Sequence, residues 1–196
     1  MTKVTLNSIT NSVKNNKILI VLGIISIILF SLFIATFITN KTTPKQNPDA
    51  EAWQNKIYPG VTSVTGLEQA LGPPLKKTAK DNKIQYFYGT ANEYRPHEVE
   101  IESEKVTLVK EQVLSSEDKS LREYIDTLGP EEAKLYGAVS SYTPGFFWGN
   151  KGIIVFAGQF DQTIIEIWYF KPSTLDEFLK IHPEIKTERP ETTDGI

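Results

Sequence analysis

Cysteine is absent from the 196 residues, which removes disulfide staples, thiolate zinc sites, thiol nucleophiles and a lipidated cysteine anchor from consideration. Histidine occurs only as His97 and His182, too few for a histidine-built metal cage. No glycine-rich phosphate loop occurs. Beyond residue 38 there are 18 Lys+Arg against 24 Asp+Glu, and an acidic surface does not neutralise phosphates, so no nucleic-acid partner is expected. The first 38 residues are the reverse: Lys3, Lys14 and Lys17 with no acid. The length allows one modest domain with appendages.

Ile18 to Ile38 runs for 21 residues without a charge, and sixteen of them are Ile, Leu, Val or Phe. As a helix this stretch is roughly 32 Å long, matching a hydrocarbon core of ~30 Å. Insertion is favoured by about 5–10 kcal/mol, an upper figure because the per-residue values hold at the helix centre. Many of these residues are β-branched, yet only a helix satisfies its own backbone in lipid. A cleaved signal peptide has a shorter apolar region and a small-x-small exit, whereas Phe33-Ile34-Ala35-Thr36-Phe37-Ile38 is bulky. A soluble core helix is rarely apolar on every face. The expectation is a permanent single-pass anchor over 18–38, with Gly23 and Ser26 tolerated in lipid. Three lysines before it against Lys41 and Lys45 after it place residues 1–17 in the cytoplasm and the rest outside.

Residues 39–50 are polar and proline-punctuated, a short tether that includes an Asn40-Lys41-Thr42 sequon. Residues 182–196, rich in Pro, Glu, Thr and Lys, read as a disordered tail. Between them, 51–181 reads as one unit used twice, over about 57–113 and 116–170. The first copy opens with a short helix, Thr65–Leu71, stopped by Gly72-Pro73-Pro74; the second has Leu121–Leu128 stopped by Gly129-Pro130, 57 residues later. Glycine caps each helix with positive φ and proline prevents continuation. An aromatic strand follows each: Ile84–Tyr88 and Phe146–Trp148. A hairpin then completes each copy, Glu98–Ser103 with Val106–Val113, and Ile153–Ala157 with Thr163–Phe170. Glu98-Val99-Glu100-Ile101-Glu102 alternates as a half-buried strand does, and Ile164–Phe170 is apolar enough for a central strand. Leu175, Phe178 and Leu179 mark a last helix over Thr174–Ile181. The fold class expected is α+β: two αβββ repeats forming one antiparallel sheet of about six strands with helices on one face.

Tyr58-Pro59-Gly60-Val61-Thr62, followed by Leu67 and Leu71-Gly72-Pro73-Pro74, resembles the Gly-Met-Thr … Leu-Gly-x-Pro opening of the small protein A / outer-membrane assembly lipoprotein E family. A doubled unit of that kind is similar to β-lactamase inhibitor protein. The resemblance covers roughly 57–113 and, more faintly, 116–170. It implies a helix-and-meander module that binds other proteins or helps assemble envelope complexes, without catalysis. Val61 stands where the family has Met, one extra residue separates Thr62 from Leu67, and the lipidated cysteine is missing.

Several residue groups invite chemistry. Glu98, Glu100 and Glu102 line one strand face about 7 Å apart and, with Glu104 near the turn, read as a solvated face that discourages edge pairing, the alternative being a cation site. Lys76, Lys77, Lys80 and Lys83 read as a solvated loop, the alternative being a lipid-headgroup contact. Ser116-Glu117-Asp118-Lys119 matches Ser-x-x-Lys, but the partner motifs Ser-Asp-Asn and Lys-Thr-Gly are missing, and Ser115 or Ser116 serves better as a helix cap. Neither histidine sits where a Ser-His-Asp arrangement needs one. The aromatics are the main candidates: Tyr86 and Tyr88 on one strand, Phe146 and Trp148 on its match, Trp168 and Phe170 on the last. Such faces are either core or interface. Glu166, on the same face as Trp168, needs a partner if it is buried.

The reading that follows is a single-pass, membrane-anchored, extracytoplasmic protein-interaction module without catalysis, cofactor or metal. Its partners are the bilayer and an envelope protein, bound through Tyr86, Tyr88, Trp148 and Trp168. The alternatives are a cell-envelope hydrolase, or a structural subunit of a membrane complex acting through its span.

Overall fold

The computed structural model describes residues 50–80, 83–115, 117, 119–140 and 142–190. The expected cytoplasmic segment, span and tether, 1–49, lie outside the described residues, and among those described no helix is long and apolar enough to cross a membrane.

The domain is α+β. Helix α1 (Val64–Leu71) precedes four strands: β1 (Lys76–Lys80), β2 (Lys83–Tyr88), β3 (His97–Glu102) and β4 (Lys105–Gln112). Helix α2 (Leu121–Leu128) precedes four more: β5 (Ala133–Leu135), β6 (Gly145–Trp148), β7 (Ile153–Ala157) and β8 (Ile164–Phe170). Helix α3 (Leu175–Ile181) closes the series. All eight strands form one antiparallel sheet in the order β1-β2-β3-β4-β8-β7-β6-β5.

The sheet therefore has eight strands where six were expected, and each helix leads four strands, not three. The additions are its two borders. The lysine run expected as a loop is β1, whose alternation is invisible because an edge strand with lysines at both faces buries little. At the other border β5 has only three residues, too few for a period to show.

The two helix-and-strands units correspond closely. Their helices are equal in length and start from serine N-caps, Ser63 and Ser120. They end at Gly72 (φ +78°) and Gly129 (φ +84°), where L side chains are disfavoured. Register slips fall at matching places, Glu100/Ile101 in β3 and Phe156/Ala157 in β7. Ser63 bridges to Lys105, and Ser120 bridges to Thr163. The units meet where β4 pairs with β8, so a half-turn about that seam carries one onto the other and exchanges the two ends of the sheet.

Helices α1 and α2 share one face, packing Leu67 and Leu121 on Val99, Val109, Val155 and Ile167. Helix α3 lies on the opposite face, where Phe178 packs with Leu108, Phe147, Ile154 and Phe170. The expected one-sided arrangement thus holds for two helices and fails for the third. The near-continuous apolar character of β7 and β8 is what two-sided cover requires. The disordered tail expected over 182–196 is ordered at its start: Ile185 is buried in this second core, and Tyr136 and Lys186 exchange backbone hydrogen bonds.

Candidate functional site

The four aromatics expected to form a binding surface are buried and do not share a face. Tyr86, Tyr88 and Trp148 lie under α1 and α2, whereas Trp168 lies on the α3 face, edge-on to Phe156 at 5.2 Å. Trp148 donates its indole N–H to the Gly129 carbonyl at 2.9 Å, fastening the end of α2 to β6. These side chains are core, and they present no joint surface to a partner. The physical reason is that the sheet is covered on both sides, so period-2 aromatics face helices whichever side they take.

Glu166 has the partners its burial demands. Its carboxylate accepts from the Gln112 side-chain amide at 2.6 Å and from the Trp168 indole. Gln112 in turn accepts from Arg95 at 2.7 Å, and Arg95 also donates to the Ile165 carbonyl. The acidic stripe is likewise occupied: Glu100 pairs with Lys83 at 2.9 Å and Lys110 at 3.6 Å, and Glu98 with Lys110 at 3.7 Å. Among the described residues no group of three metal-ligating side chains converges.

Three of the four lysines of the expected basic run are also engaged, Lys83 by Glu100 as above. Lys77 pairs with Glu68 at 2.9 Å and sits over the Tyr86 ring, while Lys76 sits over Phe87. Ser116 of the Ser-x-x-Lys match lies outside the described residues. Lys119 is bound by Glu111 at 2.8 Å and Glu117 at 3.2 Å. Burial acts to lower its pKa, but the hydrogen bonds and charges of those carboxylates raise it overall, the wrong direction for a general base. His97 lies on the α1/α2 side near Trp53 and His182 on the α3 side near Phe178, so they cannot act together.

The large exposed aromatics among the described residues gather at one end of the sheet. Strand directions place the loops β2–β3 (89–96), β5–β6 (136–144) and β7–β8 (158–163) at the same end. Each carries an exposed aromatic: Tyr94, 86% exposed, Tyr142, 49%, and Phe160, 94%. Each is held by a short polar side chain folding back on its own loop. Asn92 accepts from the Tyr94 amide at 3.0 Å, Ser140 from the Thr143 amide at 3.0 Å, and Asp161 from the Thr163 amide at 3.1 Å. That last bond leads the causes that hold the Asp161 pKa below its usual range. Local bonds of this kind make a turn without needing a core.

The half-turn at the β4/β8 seam gives each of these loops a counterpart at the far end. The eight residues of β2–β3 correspond to four in β6–β7, the six of β7–β8 to two in β3–β4, and the nine of β5–β6 to two in β1–β2. In every pair the longer loop is at the same end. Sequence reading missed Tyr94, Tyr142 and Phe160 because no period marks them. The available signal was an aromatic set among turn formers, as in Ala91-Asn92-Glu93-Tyr94 and Gly158-Gln159-Phe160-Asp161.

No family model matches this chain, and no curated protein matches it. Among solved structures it is similar to a cysteine-rich secretory protein from Staphylococcus aureus subsp. aureus Mu50, at 12% identity and TM-score 0.46, over 76% of this chain and 58% of the other. It is similar also to an extracellular protein containing an SCP domain from Bacillus anthracis str. Ames, at 12% identity and TM-score 0.46, over 79% and 56%. The chain thus spans under two thirds of the length of each.

Proposed function

We propose that this is a non-catalytic protein-interaction module, arisen by internal duplication, whose binding surface is the long-loop end carrying Tyr94, Tyr142 and Phe160. The observation that carries the reading is the one-ended lengthening of loops between otherwise matched units. Insertions in a repeat architecture collect on the face that binds, and a rigid sheet aims them. Tyrosine and phenylalanine offer large contact area at small entropic cost, and Ser, Thr and Asn around them adapt their hydrogen bonds. The partner is read as a protein and not an anionic bilayer surface, because cations near these loops are engaged within the domain: Arg95 with Gln112, Lys119 with Glu111, Arg122 with Asp126 and Lys186 with the Pro183 carbonyl.

In this reading the apolar run 18–38 is a permanent span with its N-terminus in the cytoplasm, and the domain meets an envelope protein outside. The resemblance of Tyr58–Thr62 and Leu71–Pro74 to envelope assembly factors points the same way. Photo-activatable residues placed in intact cells at positions 94, 142 and 160, with controls at Glu104 and Asn150 in the short turns, test the surface. Adducts of one discrete mass from the long loops alone are expected; adducts from the controls alone, or from neither set, sink it. Alkaline carbonate should leave the full chain in the membrane pellet, and its release into the supernatant would remove the anchor from the reading.

A further inference from the structure

Two buried side-chain donors have no hydrogen-bond acceptor among the described residues, the indole N–H of Trp53 and the hydroxyl of Tyr88. Trp53 is 1% exposed and Tyr88 7%. They belong to neighbouring rings, 6.2 Å between centroids and edge to face, and both line one cavity of about 470 Å³. The third ring on that cavity is His97, 5.3 Å from Trp53. Its Nδ1 accepts the Gln112 amide at 3.0 Å, which puts the proton of the neutral ring on Nε2. Burial pushes the His97 pKa down, so the neutral ring is the form present at pH 7.

The chain spends backbone strain to hold this arrangement. Gln54 and Asn55 are consecutive non-glycine residues at φ +52° and +56°, inside a turn closed by reciprocal Trp53–Ile57 backbone bonds. That turn fixes the Trp53 ring beside Tyr88, and strained turns of this kind persist where position matters.

We infer that the cavity where Trp53, Tyr88 and His97 meet is a binding site for an uncharged secondary amide, whose carbonyl oxygen accepts from these donors. Two neutral donors without a partner, with the neutral His97 ring beside them, select an oxygen acceptor. A carboxylate is disfavoured, since no cation among the described residues lines the cavity to offset its desolvation. The walls supplied by Leu71, Pro73 and Leu75 suit the alkyl group on the carbonyl carbon. Gln54, also on the wall, offers an amide oxygen for the ligand N–H. This site borders the β2–β3 loop through Gly89 but uses none of the aromatics of the loop surface proposed above.

The test is the indole N–H spectrum of the ¹⁵N-labelled full chain in detergent micelles, with the Trp53 signal identified by its loss in Trp53→Phe. N-acetylglucosamine, an acetyl-alanine methylamide and acetate are titrated separately. A saturable downfield shift of the Trp53 signal with either amide, weakened at least tenfold in Tyr88→Phe, is expected, and the amide that saturates at lower concentration identifies its source as sugar or peptide. Saturation by acetate in preference to both amides, or no shift with any probe, overturns the inference. Tyr88→Phe should itself fold as stably as the parent, because it deletes a hydroxyl that the domain does not bond; a clear loss of stability would show a resident water as the acceptor and count against an amide site.

Discussion

Lys110 stands directly across the β4/β8 seam from Trp168, its ammonium 4.9 Å from the ring centroid. Carrying the correspondence of Lys105 with Thr163 along the strands matches these two residues to each other, so the pseudo-two-fold axis passes between them. Two positions equivalent in the fold are occupied by a cation and an aromatic that attract one another. Beside them Gln112 and Glu166, also directly paired, are donor and acceptor. The seam is thus held by complementary polar partners as well as by the ladder.

Glu166→Ala should destabilise the domain by about 2–4 kcal/mol, because the Trp168 indole and the Gln112 amide lose their acceptor while buried. Urea unfolding of parent and variant measures it. A change within about 0.5 kcal/mol would mean that solvent reaches the seam.

The buried and exposed aromatics should separate cleanly. Trp148→Ala removes a core side chain and its bond to Gly129, at a cost of about 3–5 kcal/mol. Tyr94→Ala and Phe160→Ala should each change stability by less than about 0.5 kcal/mol. Thermal or urea midpoints of the three variants decide; a large loss at Phe160 would place that ring in the fold and not in a contact surface.

The matched caps should cost alike. Ser63→Ala and Ser120→Ala each remove an acceptor for a first-turn amide and should each cost about 1 kcal/mol, additively. Thr174→Ala, which breaks a reciprocal capping box with Glu177, should cost at least as much. The double serine variant checks additivity; a strong excess would show that the helices communicate.

Acid should weaken the domain in two stages. Burial pushes the pKa values of His97 and His182 below 6.5. Each therefore favours the fold fully above about pH 6.5, and this contribution is lost as pH falls through the lowered folded values. For Glu100 burial acts to raise the pKa, but Lys83 and Lys110 outweigh it and hold the carboxyl below 4.5. Its contribution is complete above 4.5 and disappears as pH falls through the folded value. Unfolding midpoints across pH 7 to 3 should show both stages. His182→Phe should shrink the first and Glu100→Gln the second; an unchanged profile in either would refute the assignment.

Much of the architecture was legible in the sequence, and its failures have physical causes. The helix ends at Gly72 and Gly129 could be read because a glycine before a proline leaves the backbone few choices. Strands β3 and β8 could be read from alternation and from unbroken apolarity. Strand β1 could not, because its lysines carry no buried period, and β5 was too short. The candidate surface escaped for a related reason. Tyr86, Tyr88, Trp148 and Trp168 stood out because they repeat, and repetition in a strand is a signal of burial on a regular lattice. Tyr94, Tyr142 and Phe160 repeat with nothing, and only the superposition of the two units shows that their loops are long. Trp53 was silent too: its meaning depends on Tyr88 and His97, which the chain brings to it from far along the sequence.

The docking of Ile185 has a practical consequence for anyone handling this molecule. Strand β5 is the sheet's flimsiest margin, and the Tyr136–Lys186 bridge is its hem. A version cut back to residue 181 would fray there, uncovering Leu135 and inviting strand-to-strand clumping, whereas one ending at residue 190 should stay dispersed.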